Sequence, residues 1–276
     1  YNEDGGTVEY PDFTDSNYTN TFGGTSSATP AVAGVVALML QANPNLSTRD
    51  VQEILVRSAT QNDSYDGDWI TNGAGFHFNI KYGAGLVNAQ QATALASTWT
   101  NVTPRQSHTY AAAALNLPIP DYDRSGVSKT FTVPIADNLR LEHITVHVKA
   151  AHTNRGNLEW RLISPSGISV RLARSRFNDN GADLDWTFMT THCWGERSVG
   201  DWKLQAIDQV VGDVGTLTDA TITFYGTPTD SALPLPVITS NWIVTGREGW
   251  AMNQQMTASN FTTSFDAGTY ATGSLP

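Results

Sequence analysis

The sequence predicts two structural classes in succession. An α/β-type section spans residues 1–103, an all-β, jelly-roll-like sandwich spans 104–227, and an extension occupies 228–276. Three observations carry this division. Helical signals concentrate between residues 25 and 98. From about Ser107 the apolar period falls from that of a helix to that of a strand. The last stretch holds only four charges, Asp230, Arg247, Glu248 and Asp266, and is rich in Thr, Ser and Pro.

Residues 1–24 are polar, aperiodic and rich in Gly, Asn and Thr, which reads as loop. Residues 30–41, PAVAGVVALMLQ, are apolar all round and predict a buried helix, with Pro30 tolerated in its first turn. Asn43-Pro44-Asn45 stops it. Ser47 caps a second helix, with Asp50 completing a capping-box variant and Val51, Ile54 and Leu55 on its inward face. A third helix is expected over 88–97, after Gly83-Ala84-Gly85. Beyond Ser107, Ile144, Val146 and Val148 alternate with polar residues, as do Leu158, Trp160 and Leu162. Ser164-Pro165-Ser166-Gly167 turns that strand into another over 168–173. Further strands fit 186–189, 202–207 and 221–225.

Hydrophobic residues make up 40% of the 276, enough for a sizeable core. Charged residues are only 15%, and the net charge is −10. That balance argues against nucleic acid and against an anionic membrane surface as partners. Uninterrupted apolar runs fall far short of the roughly 18 residues a membrane span needs. The start carries no signal-peptide pattern, and opening on Tyr1 is expected of a processed or cut chain. Low lysine content with many short β-type segments suits a secreted or extracellular protein. One cysteine, Cys193, excludes an internal disulfide framework. Sequons at Asn17, Asn45, Asn62, Asn101 and Asn260 are expected by chance in so Asn- and Thr-rich a chain.

The sharpest feature is Gly24-Thr25-Ser26-Ser27-Ala28-Thr29-Pro30. It places a serine where a loop enters a helix. First-turn amides there have no helical acceptor, so a developing oxyanion would find donors and the favourable end of the dipole. The same residues also read as an ordinary Ser/Thr-capped core helix.

Gly-Thr-Ser-x-Ala-x-Pro resembles the active-serine signature of the subtilisin-like serine proteases. The resemblance continues through 31–40, Asn43-Pro44-Asn45-Leu46 and Tyr82-Gly83-Ala84-Gly85-Leu86-Val87-Asn88-Ala89. It is strongest for the kexin/furin-like branch. Ser164-Pro165-Ser166-Gly167, Asp185-Trp186-Thr187-Phe188-Met189-Thr190, His192, Trp194-Gly195-Glu196 and Gly200-Asp201-Trp202 resemble the P domain that follows the catalytic domain there. The resemblance implies a serine endopeptidase acting on protein or peptide substrates. Ser26 would be its nucleophile and the Ser26 amide an oxyanion donor. It implies calcium as well, bound mostly outside this sequence, with metal ligands here unknown and no organic cofactor.

The departures are specific. The family order is Asp, His, oxyanion Asn, Ser, with Gly after the His. Here His77, His108, His143, His147, His152 and His192 all follow Ser26, and none precedes Gly. No Asp-Ser/Thr-Gly occurs. A serine hydroxyl is a weak nucleophile without an adjacent base. The expectation is therefore the C-terminal part of a catalytic domain plus P domain, whose partner is the missing N-terminal part. The alternative is a non-catalytic P-domain module that stabilises or binds a partner.

Other residues read more plainly. His192 and Cys193, as strand neighbours, face opposite ways and form no dyad; Cys193 reads as a buried thiol and His192 as a hydrogen-bonding residue within the sandwich. Asp179, Asp183 and Asp185 read as a solvated acidic turn in preference to a calcium loop, and Asp208 with Asp213 is a weaker pair still. Trp160, Trp186, Trp194 and Trp202 read as core rather than as a sugar platform. Arg171, Arg174 and Arg176 read as a surface stripe or a contact to the acidic catalytic domain.

Overall fold

The computed structural model describes residues 22–229, in two compact units. Most of the polar N-terminal stretch, residues 230–276, and the Asn17 and Asn260 sequons lie outside the described residues. The first unit runs through Asp68 and resumes over Asn79–Val102. The second takes Trp69–Phe78 and everything from Thr103.

Three helices build the first unit: α1 (Thr25–Ala42), α2 (Thr48–Ser58) and α3 (Ala89–Ser97). Val35, Met39, Leu46, Ile54, Ala92 and Ala96 form their common core, with Val51, Leu55 and Trp99 packed against it. The inward face expected for α2 is therefore the observed one. Ser47 caps α2 in a complete capping box with Asp50, and the Asn88 side chain caps α3 by accepting from Gln91 N.

Asp50 does more than cap. It is fully buried, and its carboxylate accepts from Ser47 N (2.7 Å), Trp99 Nε1 (2.9 Å) and Val102 N (2.7 Å). One charge thus ties the start of α2 to the chain leaving α3 and fastens Trp99 within its own unit. Burial pushes the Asp50 carboxyl up, but the bonds from Ser47, Val102 and Trp99 together outweigh it and hold it below the usual range.

Two expectations for α1 need correction. The helix starts at Thr25, so Pro30 lies beyond its first turn, and the Ser26 carbonyl is left without the N–H it would meet in an unbroken helix. Nor is the helix buried: only Val35 and Met39 are, while Leu38 is 48% exposed. Among the described residues only α2 and α3 lie in its unit to cover it, and an apolar surface all round exceeds what two helices can bury. Small residues break its apolar runs, yet over 18 residues the helix is long and apolar enough to cross a bilayer, contrary to the estimate from runs alone.

The second unit is a sandwich of two antiparallel sheets. One has the order β5 (Val127–Val133), β10 (Gly200–Asp208), β7 (Leu158–Ile163), β8 (Ser169–Ala173). The other has the order β3 (Gln106–Ala112), β11 (Gly215–Pro228), β6 (Leu139–His152), β9 (Leu184–Thr190), with β4 (Leu117–Ile119) also on β11. Ile144, Val146, Val148, Ile222 and Phe224 face Trp160, Leu162, Trp202 and Leu204 across a closed core. The tryptophans divide: Trp160, Trp194 and Trp202 are buried, but Trp186 is 59% exposed, because among the described residues β9 is the edge strand of its sheet. A short hairpin, β1 (Ile70–Thr71) with β2 (His77–Phe78), completes this unit.

Two outcomes follow from these cores. Trp202 is fully buried and donates from Nε1 to the Ser198 carbonyl at 2.7 Å. Trp202→Ala should cost about 3–5 kcal/mol in chemical denaturation, and a loss under about 1 kcal/mol would contradict the core described. For Asp50, whose folded pKa is depressed, the stabilisation is present above the unfolded value of about 3.9 and disappears as pH falls through the folded one. Acid titration of the helical unit, followed by hydrogen exchange in α2, should therefore show destabilisation below about pH 4 that Asp50→Asn abolishes. An unchanged acid limb would refute it.

Candidate active site

Ser26 is the second residue of α1 and is exposed. Gly24 precedes the helix at φ 73°, ψ −158°, a backbone that turns the chain sharply and that a side chain would strain. The Gly24 carbonyl accepts from Ser27 N and Ala28 N, both at 3.2 Å, and from Ser27 Oγ at 3.1 Å. Thr29 Oγ1 donates back to the Thr25 carbonyl at 2.8 Å. Among the described residues neither the hydroxyl nor the N–H of Ser26 has a partner. The two adjacent serines therefore differ in kind: Ser27 is spent on the helix start, whereas Ser26 presents a free hydroxyl beside a free amide.

The unit that carries that hydroxyl contains no histidine. All six histidines fall in the β unit. His152 and Asp208 are fully buried side chains joined at 3.2 Å. Because His152 Nδ1 accepts from Asn154 N, its proton is assigned to Nε2, which donates to Asp208. His147 pairs with Asp185 at 2.7 Å, His143 stacks on Tyr225, and His77 lies edge-on to Trp69. His108 Nδ1 lies 3.7 Å from Asp137. No sequence signal marks the His152–Asp208 pair, whose members are 56 positions apart.

His192 and Cys193 lie in a turn after β9, not on a strand, so the opposite-face argument does not apply to them. The His192 ring stacks on Phe78 at 5.5 Å, and burial lowers its pKa. Cys193 is buried; burial, then the nearby Glu196 charge, push its thiol well up and leave it unreactive.

The three clustered aspartates are dispersed to different partners. Asp179 is paired with Arg155 and Arg176, Asp183 accepts from His152 N, and Asp185 pairs with His147 and Lys149. Asp213 accepts from Asn154 and Asn157. Among the described residues no group of three or more His, Cys, Asp or Glu gathers to hold a metal. Arg171 is exposed and stands opposite Arg161 across β7 and β8, while Arg176 is taken by Asp179.

Two family patterns match separate stretches of the chain. The pattern of the Subtilase family matches residues 7–85, and that of the Proprotein convertase P-domain matches 141–224. Human proprotein convertase subtilisin/kexin type 7 is 39% identical over 214 residues, 74% of this chain and 27% of the relative. Furin of Bos taurus is 36% identical over 246 residues, 84% of this chain and 30% of the relative. The chain thus spans less than a third of the curated relatives it matches. A solved serine protease of Aeromonas sobria, in complex with a chaperone, shares the fold with a TM-score of 0.67 at 24% identity, over 75% of this chain and 45% of that one.

Gly24 offers a direct check on the site's backbone. A Cβ there meets no atom within 4 Å, so only the positive φ opposes it. Gly24→Ala should therefore destabilise the helical unit by about 1–2 kcal/mol through strain alone, read by urea unfolding. A neutral substitution would mean that the entrance to α1 does not need this turn.

Proposed function

The chain belongs to the kexin/furin-like branch of the subtilase family, and from that premise we propose that its parent protein is a secreted serine endopeptidase with Ser26 as nucleophile. The observation that carries the proposal is the pairing of a free hydroxyl with a free first-turn amide at residue 26. Ser26 Oγ attacks the carbonyl carbon of a peptide bond. Its proton passes to a histidine base contributed by chain outside this sequence. The carbonyl oxygen takes up negative charge, for which the Ser26 N–H is one donor. Collapse of the tetrahedral species breaks the C–N bond, the base returns its proton to the leaving amine, and an acyl-enzyme remains on Ser26. Water, deprotonated by the same base, then releases the acid. Calcium is implied by the resemblance alone: among the described residues no three His, Cys, Asp or Glu side chains gather, and no step is derived through it.

The second reading, a stabilising or partner-binding module, draws on a different observation: the unit that carries Ser26 contains no histidine. The two readings separate in the complete protein. Ser26→Ala should lower peptide hydrolysis by several orders of magnitude and abolish fluorophosphonate labelling without shifting the melting temperature, since no hydrogen bond is lost. Ser27→Ala removes the bond to the Gly24 carbonyl. It should cost about 1 kcal/mol of stability and little activity. Equal losses for both variants, or an active Ser26→Ala protein, would return Ser26 to a helix-start residue and favour the module.

A further inference from the structure

The dipeptide Asn-Gly occurs twice in the chain, at Asn72-Gly73 and at Asn180-Gly181. It is a chemically labile pair. Glycine has no side chain to keep its own backbone nitrogen away from the preceding side-chain amide, and attack there closes a five-membered ring. Whether a given pair can react depends on where the fold puts the amide and the following N–H. The two pairs are treated oppositely.

Asn72 is 4% exposed. Its Nδ2 donates to the carbonyls of His192 and Trp194, at 2.9 Å each. Its Oδ1 accepts from Ala74 N and Phe76 N, both at 3.0 Å. The nitrogen that would attack it, Gly73 N, donates instead to Glu196 Oε1 at 2.9 Å. Asn180 lies in the loop between β8 and β9 and is exposed. Among the described residues neither its side chain nor its own backbone N–H and carbonyl has a hydrogen-bond partner. Gly181 N donates only to Asp179 Oδ1, at 3.3 Å, longer than the usual range. The loop is anchored on both sides of Asn180 and not at it: Gly156 N donates to the Asp179 carbonyl at 3.1 Å, and Arg155 N to the Gly181 carbonyl at 2.9 Å.

We propose that Asn180 is a site of spontaneous deamidation and isomerisation in the folded protein, with Asn72 its protected counterpart. Hydroxide takes the proton of Gly181 N, and the nitrogen attacks Asn180 Cγ. The N–Cγ bond forms, the Cγ–Nδ2 bond breaks, and ammonia leaves with a proton from water. Water then opens the succinimide at either carbonyl, giving aspartate or isoaspartate. Isoaspartate adds one carbon to the main chain between the two anchoring carbonyls. It also sets a new carboxylate beside Asp179, whose own charge is already engaged by Arg155 and Arg176. The lengthened loop no longer presents both carbonyls in register to Arg155 N and Gly156 N. Nothing in the proposal depends on Ser26.

The test ages the complete protein at mildly alkaline pH, once folded and once in urea. Peptides carrying residues 72 and 180 are weighed for replacement of NH2 by OH, and isoaspartate is counted by isoaspartyl methyltransferase labelling. In the folded protein Asn180 should convert at least about a hundredfold faster than Asn72, because several bonds, each worth a few-fold, must open before attack at Asn72. The Asn180 rate should rise with pH, and in urea the two rates should converge. Asn180→Gln should remove the isoaspartate label from the folded protein. Hydrogen exchange at Arg155 N and Gly156 N should quicken in aged protein but not in fresh Asn180→Asp, which adds the charge without lengthening the chain. Equal folded-state rates at the two sites, or no isoaspartate at residue 180, would overturn the proposal. A difference that persisted undiminished in urea would assign it to sequence instead of fold and overturn it as well. Conversion with unchanged exchange at Arg155 and Gly156 would overturn the effect on the loop.

Discussion

The pairing of β6 with β11 is the constraint on which the sandwich depends. It runs from Gly215 opposite His152 to Pro228 opposite Leu139, and every other strand of that sheet pairs with one of these two. A slip of one residue would turn either Ile144, Val146 and Val148 of β6 or Ile222 and Phe224 of β11 out of the core. Two register shifts refine the match. The one between Leu217 and Asp219 lets Leu217 and Ala220, three apart, both face inward. The one between Tyr225 and Gly226 brings Gly226 so close to the Arg140 carbonyl that a Cβ would lie 2.1 Å from its oxygen. Glycine is required there by backbone approach rather than by its freedom of φ.

The helical unit is organised by a charge. Its apolar core is small, and α1 leaves much of its apolar surface open. Asp50 compensates by gathering donors from α2, from Trp99 and from Val102, elements a hydrophobic contact would hold less directionally. A buried carboxylate is tolerable only because its oxygens are so fully occupied. Each unit thus contains one buried carboxylate that binds backbone from a distant stretch: Asp50 in the first, Glu196 in the second.

What could be read from the sequence was whatever repeats or caps. The period of two in 143–149 and 158–162 placed β6 and β7, and Ser47 with Asp50 placed the start of α2. The serine motif singled out Ser26 because residue order alone encodes it. The beginning of α1 was lost because Thr25, Ser26 and Ser27 favour caps and turns as much as helix. The hairpin of β1 and β2 has strands of two residues, too short for any period. Alternation gave Trp186 its face but not its exposure, since exposure depends on whether a strand has a neighbour. The partners of His152 and Glu196 come from chain far away in sequence, and local pattern carries no trace of them.

General magnitudes bear on how the proposed chemistry would be divided along the chain. A helix N-terminus favours a nearby negative charge by about 0.3–1 kcal/mol. One oxyanion donor is worth roughly 2.7–4 kcal/mol of barrier. Together these fall short of the 8 kcal/mol or more that separates an enzyme from the uncatalysed reaction. On the proposed reading Ser26 and its amide would supply position and one donor at low energetic cost, because an exposed hydroxyl and an exposed first-turn N–H remain solvated until substrate arrives. On that reading the remainder would come from positioning of the substrate and from the base that takes the hydroxyl proton. A histidine base for Ser26, as proposed, would have to come from outside the helical unit, which contains no histidine. On the proposed reading, what the helical unit contributes is a rigid helix start and a glycine turn, and the base comes from elsewhere.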